Sequence, residues 1–367
     1  VSAGTVPSAV RVTATASMNF NGETVEVQSQ SDLLSLNTGL PEQRSMTISA
    51  EILNPESHNT NGVESNISVW LADNFNNPVP DGTTVNFTTE GGNIEPSCTT
   101  TNGSCSVIWS SSEPRVADHR ITILATALGH ETFFDTNGNN LFDNADGDPI
   151  LDLGDSDNLN IDSGFGRYAA QVSGFLDMSE AWRDDNENSI YDAGETFIDF
   201  NNDQSFSNAD GLFNGPQCQG SNCAVETLRN IHVRKSIRLV MASSEAEFIL
   251  TNTDDTITYN NSITDETAAI DDIANGETRE FNFYFADTGT PNQTMPVGTT
   301  VTIAISAGSL EGETGFTVIN NNREGFSNMN FFIVHEAGSI AQTAILTLSI
   351  TSPNGIITTF NRSINLL

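Results

Sequence analysis

The chain has 367 residues, with 48 Asp and Glu against 13 Lys and Arg and a formal net charge of −35. That length suggests two or three domains with proper cores. The charge argues against nucleic acid and anionic membranes as partners, since phosphate contacts need Lys and Arg, and no apolar run approaches the length that inserts into a membrane as a helix.

Residues 10–16 alternate, Val10, Val12, Ala14 and Ala16 against Arg11, Thr13 and Thr15, which is the period of a strand. Asn21-Gly22 turns the chain and Thr24–Gln28 returns. A lone hairpin is not stable in water, so residues 1–42 must pack on something, as the end of a preceding domain or as strands used in assembly. No leader pattern precedes it, and the chain reads as a mature or trimmed form.

Ser45–Leu53 opens a second region, followed by the alternating runs Ile67/Val69/Leu71, Val85/Phe87, Val107/Trp109 and Ile121/Ile123/Ala125. Turn residues recur between them at the spacing of an antiparallel β-sandwich. Helical periodicity is nearly absent; Thr267–Ile273 and the turn at Ser179–Trp182 are the only mild candidates. The four cysteines form two close pairs. Cys98 and Cys105 flank an Asn102-Gly103 turn and read as a cross-strand staple, and Cys218 and Cys223 bracket a short loop. Two disulfides imply an oxidising, extracytoplasmic compartment.

The β pattern breaks between Phe133 and Cys223, where three acidic loops share one spacing. Asp135, Asn137, Asn139, Leu141 and Asp146 fall at positions 1, 3, 5, 7 and 12. Asp184, Asn186, Asn188, Ile190 and Glu195 do the same, as do Asp199, Asn201, Asp203, Ser205 and Asp210. Ca²⁺ is a hard cation that takes six to eight oxygens, and an EF-hand-type loop supplies them from side chains at 1, 3 and 5, a backbone carbonyl at 7 and an acid at 12. Position 6, usually Gly, is Asn140, Ser189 and Gln204, and the second and third loops start only 15 residues apart. Ligand loops without flanking helix pairs are therefore expected, similar to dockerin-like calcium loops. Without metal their carboxylates repel, and no apolar core is expected to hold them. Asp152, Asp155, Asp157 and Asp162 fail the rule, because Leu159 takes position 5 when counting starts at Asp155.

After the acidic block, Ile231–Met241 reads as the return strand of the hairpin begun by Ile121–Ala127. An internal repeat follows. Ala72-Asp73, Pro80-Asp81-Gly82-Thr83-Thr84-Val85, Gly92 and Glu95 reappear as Ala286-Asp287, Pro296-Val297-Gly298-Thr299-Thr300-Val301, Gly308 and Glu311. The second copy ends in Leu346/Leu348/Ile350, a Pro353-Asn354-Gly355 turn and a last strand through Phe360 and Ile364. Two domains of one architecture result, at 43–133 plus 227–243 and at 244–367, with residues 134–226 inserted into the first. Loop tips tolerate such insertions because added length costs little closure entropy.

The run from Asp73 through Pro78, Pro80, Gly82 and Val85 to Phe87, with Gly91-Gly92, Cys98, Cys105 and Trp109, resembles the bacterial immunoglobulin-like (Big) domain of the invasin/intimin type. The resemblance implies an all-β protein of tandem immunoglobulin-like sandwiches, one carrying the loop-rich calcium-binding insertion, at the bacterial cell surface. It does not imply a ligand.

Three functions compete. An enzyme is not expected: His58, His119, His130, His232 and His335 are scattered without ligand spacing, and no nucleophile motif or phosphate loop occurs. A binding module for a host or surface glycan or protein would use exposed aromatics; Trp182 is the best candidate, with Trp70 and Trp109 read as core. The favoured reading is structural: a calcium-stiffened, extracellular filament or stalk subunit involved in adhesion, whose partners are other copies of itself or neighbouring immunoglobulin-like domains.

Overall fold

A computed structural model of the chain describes residues 8–20, 23–31, 34–36, 39–151, 173–252, 258–260 and 270–367. The Asn21-Gly22 turn, the Asp152, Asp155, Asp157 and Asp162 set, and 267–269 lie outside the described residues. Apart from single 3-10 turns at Gln43–Ser45 and Glu226–Leu228, every regular element described is a strand. Ile270–Ile273, within a stretch expected to be mildly helical, is also a strand, because Ile270 and Ile273 pair with Ile364 and Leu366 and are buried there. Ser179–Trp182 forms no helix either; Trp182 bridges to Phe197.

At the N-terminus, β1 (Ser8–Val10) pairs with β4 (Leu34–Leu36), and β2 (Thr13–Phe20) pairs with β3 (Glu23–Gln30). β3 is exposed along its whole length, as is β2 at residues 13–19. The hairpin is therefore not docked along these strands on either sandwich.

The middle sandwich uses β5 (Met46–Ala50), β6 (Glu64–Leu71), β7 (Thr84–Thr89), β8 (Asn93–Ile94), β9 (Ser97–Thr99), β10 (Ser104–Ser110) and β11 (Arg120–Gly129). The insertion holds β12 (Phe133–Phe134), β13 (Pro149–Leu151) and β14 (Gly174–Asp177); β15 (Ile231–Val240) then returns to pair with β11 along ten residues. The C-terminal sandwich runs β16 (Ala246–Asn252), β17 (Thr258–Asn260), β18 (Ile270–Ile273), β19 (Thr278–Asp287), β20 (Thr300–Ile305), β21 (Ser309–Gly312), β22 (Gly315–Thr317), β23 (Ser327–Val334), β24 (Gln342–Thr351) and β25 (Ile357–Leu366).

The middle sandwich packs a β5-β6-β10-β8 sheet on a β15-β11-β7-β9 sheet. The C-terminal one contains the same orders, β16-β19-β23-β21 and β25-β24-β20-β22, with β17 and β18 added at edges. The repeat motif occupies the same place in both. Asp73 and Asp287, each fully buried, accept backbone N–H bonds from the loop that follows: Phe75 and Asn77 in one copy, Gly289 and Gln293 in the other. Gly92 has φ +72°, and a Cβ there would lie 2.7 Å from the Trp109 indole nitrogen, so the turn needs glycine for its backbone and for space.

Each core is formed by the inward half of alternating strands. Val69, Val85, Phe87, Val107, Trp109, Ile121 and Ile123 fill the first; Phe281, Phe283, Phe285, Phe331, Leu346 and Leu348 fill the second. The Cys98–Cys105 disulfide forms, but β9 and β10 belong to different sheets. It ties the two layers of the sandwich together instead of stapling one ladder, since β9 pairs with β7 and β10 with β6.

The insertion covers the outer face of the second sheet. β11 is buried continuously from Ile121 to Ala127, including outward-facing Thr122, Leu124 and Thr126, whereas the equivalent β24 alternates. The outer face of β15 presents His232, Arg234 and Arg238 to the insertion. Arg234 donates to the Ser179 carbonyl at 2.9 Å and sits over the Trp182 ring; His232 meets Phe200 edge-on. The insertion also has an apolar centre of its own, contrary to expectation: Phe133, Phe142, Phe175 and Phe213 pack together beside the Cys218–Cys223 disulfide.

Candidate metal centre

The three loops fold alike. Positions 4 and 6 have left-handed backbone in each: Gly138 and Asn140, Glu187 and Ser189, Asn202 and Gln204, with φ between 56° and 72°. Only Gly138 is glycine, and left-handed backbone at a residue with a Cβ costs about 1 kcal/mol. Five residues therefore hold an unfavourable conformation for the sake of the loop shape.

The first aspartate of each loop is the hub that fixes this shape. Asp135 accepts N–H bonds from Gly138, Asn139 and Asn140; Asp184 from Asn188 and Ser189; Asp199 from Asp203 and Gln204. The position 3 side-chain oxygens of Asn137, Asn186 and Asn201 accept from the position 5 N–H. Those at position 5, on Asn139, Asn188 and Asp203, accept from Leu141, Ile190 and Ser205. An oxygen that accepts one hydrogen bond retains a second lone pair for a cation. Ile190 is 64 % exposed, which suits a position whose contribution is its carbonyl.

Position 12 separates the third loop from the others. In the first, the Asp146 carboxylate takes the N–H groups of Thr136 and Asp143, at positions 2 and 9. In the second, Glu195 takes those of Asp185 and Asp192, the same two positions. In the third, Asp210 accepts from Leu212 instead. Its place is filled by Glu180, which accepts from Phe200 at 2.8 Å and Ser207 at 3.0 Å, again positions 2 and 9. Glu180 is only 6 % exposed and was not apparent from the loop rule. Its one sequence cue is spacing: it precedes Asp184 by the four residues that separate Glu195 from Asp199.

Position 8 is a second feature missed in the sequence, an aromatic in every loop. Phe142 enters the phenylalanine cluster, while Tyr191 and Phe206 stack on each other at 4.0 Å and join the second loop to the third. Trp182 packs edge-on against Phe206 and is 1 % exposed, so it is a wall of this cluster and not a free platform for a sugar. Trp70, read as core, is 48 % exposed on the outer face of β6; Trp109 is buried as expected.

Among the described residues no group of three or more His, Cys, Asp and Glu side chains is placed to hold a metal ion. The first two loops offer two carboxylates, at positions 1 and 12, plus amide and backbone oxygens; the third adds Asp203 to Asp199 and Glu180. An all-oxygen set of this kind fits a hard cation such as Ca²⁺ better than a thiolate- or imidazole-seeking one. The electrostatics are uneven. Hydrogen bonds, from Ala145 N–H at Asp143 and from the Asn186 amide at Asp192, hold both carboxyls below the usual range. Burial raises that of Glu195.

No family model matches the chain, and no curated protein matches it. Among solved structures it is similar to the Yersinia pseudotuberculosis adhesin InvE, at 12% identity over 89% of this chain and 61% of that one, with a TM-score of 0.24. It therefore spans about three fifths of InvE. The D0–D1 domains of intimin match at 8% identity over 87% of this chain and 97% of that one, with a TM-score of 0.22. The Escherichia coli adhesin FdeC matches at 9% over 97% and 74%, with a TM-score of 0.30. Superpositions this loose carry no argument; the sandwich architecture rests on the strand pairing above.

Proposed function

We propose that the chain is an extracellular structural module, built of tandem immunoglobulin-like sandwiches and stiffened by Ca²⁺ in the inserted loops, that serves in a bacterial surface stalk or filament involved in adhesion. The observation that carries the reading is the common hydrogen-bond frame of the three loops, repeated at positions 1, 3, 5, 2 and 9. Asp135, Asn137, Asn139, Leu141 and Asp146 would hold one ion. Asp184, Asn186, Asn188, Ile190 and Glu195 would hold a second, and Asp199, Asn201, Asp203, Ser205 and Glu180 a third. The ion would supply the positive charge that the clustered carboxylates lack. Affinities of about 10⁻⁴–10⁻³ M, those of extracellular modules, suffice for this role.

The two disulfides support an oxidising compartment. The exposed N-terminal ribbon supports association: Ala16 faces Val27 and Met18 faces Val25 across the ladder, all four exposed, and an unpaired edge accepts another strand. Sedimentation of the chain in calcium and again after chelation tests the reading. The expected result is a compact, stiff species in calcium that becomes more frictional on chelation, with larger assemblies if the ribbon joins copies. Identical sedimentation in both conditions would remove the calcium-stiffened role.

A further inference from the structure

The second loop lies where the insertion, the middle sandwich and the C-terminal sandwich meet, and one arginine touches all three. Arg120, the first residue of β11, grips the Glu187 carboxylate with two hydrogen bonds, Nε to Oε1 at 2.6 Å and Nη2 to Oε2 at 3.0 Å. Its Nη1 donates at 2.6 Å to the carbonyl of Asn322, which belongs to the C-terminal sandwich. Asn322 returns a bond from its Nδ2 to the Arg238 carbonyl on β15 at 2.9 Å. Arg238 in turn faces the loop, with its guanidinium 3.8 Å from Asp184 and 3.6 Å from Glu187. Glu187 is position 4 of the loop, held at φ +56° between the position 3 and position 5 oxygens.

We infer that the second loop is a conformational control on the joint between the two sandwiches, acting through the Arg120–Glu187 clamp; this rests on the calcium reading above. A cation held by Asp184, Asn186, Asn188 and Glu195 fixes the backbone on both sides of Glu187 in its left-handed shape. Glu187 is then presented to Arg120 in the one orientation that leaves Nη1 free for Asn322. Without the cation, five acids within the loop, Asp184, Asp185, Glu187, Asp192 and Glu195, repel one another, and Glu187 can leave the unfavourable backbone region. The clamp opens, and Arg120 loses the partner that aims it.

Further bonds across the joint do not involve residues of this loop. Asn54 donates to the Met295 carbonyl, Ser352 and Asn354 donate to Glu56, and buried His119 meets Asp287 at 2.6 Å. These keep the sandwiches joined when the clamp opens, so the effect is a wider range of angles and not separation. The first and third loops make no comparable bridge to the C-terminal sandwich among the described residues, which makes the control specific to one site of three.

The test uses the full chain with spin labels on Asn66→Cys and Asn328→Cys, exposed positions in the two sandwiches. Terbium luminescence reports loop occupancy, and pulsed dipolar spectroscopy reports the spread of distances. With calcium the spread should be narrow, and chelation should widen it about twofold, as expected of a local opening. Asp184→Asn with Glu195→Gln should widen it in calcium while the first and third loops still bind terbium. Arg120→Ala and the milder Glu187→Gln should widen it in calcium with terbium binding at all three loops retained. That last pattern separates the clamp from the metal itself. Terbium binding at the second loop with no change in spread on chelation, or a narrow spread in both clamp variants, would overturn the inference and leave the calcium reading standing. No terbium binding at any loop would overturn both.

Discussion

The two sandwiches share eight strands in the same order, yet the outer face of one sheet differs between them. In the C-terminal copy a Pro353-Asn354-Gly355 turn joins the last two strands, and β24 shows water Thr343 and Ile345 on alternate residues. In the middle copy the same connection carries the insertion, and Thr122, Leu124 and Thr126 of β11 are buried under it. The covering element is acidic and the face beneath it is cationic. Of thirteen Lys and Arg in the chain, Arg120, Arg183, Arg234 and Arg238 are spent on this contact. The C-terminal copy leaves that outer face to water, whereas the middle copy adds a charged seam there to the same core packing. Agents that act on charge should therefore separate the two copies, and agents that act on packing should not.

The largest separation should come from metal removal. If each of the three loops holds one ion as proposed, calcium at ten to a hundred times its Kd would stabilise the insertion and the sheet beneath by about 4–8 kcal/mol. Calorimetry in calcium and in chelator should shift the transition of the middle sandwich and leave that of the C-terminal one in place. Trp109→Ala should cost the middle sandwich about 3–5 kcal/mol whether or not calcium is present, because it opens a cavity and removes the indole bond to the Gly91 carbonyl. A calcium-dependent cost would mean that the core and the insertion are not separable.

Arg234→Ala should cost about 1–3 kcal/mol, the expense of leaving the Ser179 carbonyl without its donor. Limited proteolysis should then cut the insertion faster while the C-terminal sandwich stays intact. The smallest effect should come from Glu90, whose carboxyl is pushed up to about 7, first by burial and then by the charge of Asp185, against the Thr122 N–H bond that lowers it. Between its ordinary value and about 7 the folded chain holds a proton that the unfolded chain has lost, so this group costs stability as pH rises through that window. Glu90→Gln should therefore raise the melting temperature in chelator at pH 8 but not at pH 4. The C-terminal transition should not respond.

Much of this architecture was legible. The period-2 runs, the repeated Pro-x-Gly-Thr-Thr-Val motif and the matching terminal hairpins indicated two sandwiches, because alternation and turn chemistry are local. The loop spacing pointed to Asp135, Asp184 and Asp199, each of which is a hub of backbone hydrogen bonds. What lay beyond reach was pairing across distance. Glu180 closes the third loop from 19 residues before Asp199, and no rule counted within the loop can find it. Trp182 looked like an exposed aromatic because it lies beside the second acidic loop, but Arg234 and Phe206, distant in sequence, bury it. The phenylalanine cluster was hidden for the same reason, with Phe133, Phe142, Phe175 and Phe213 lying in short apolar pairs far apart in the sequence.

The most direct test of the account is a calorimetric titration of calcium into the metal-free chain, up to about 10 mM, ten times the weak end of extracellular-module affinities. The account predicts three ions for the native chain, two for Glu180→Gln and three for Asp210→Asn. No saturable binding, or a lost ion in Asp210→Asn with none lost in Glu180→Gln, would contradict it.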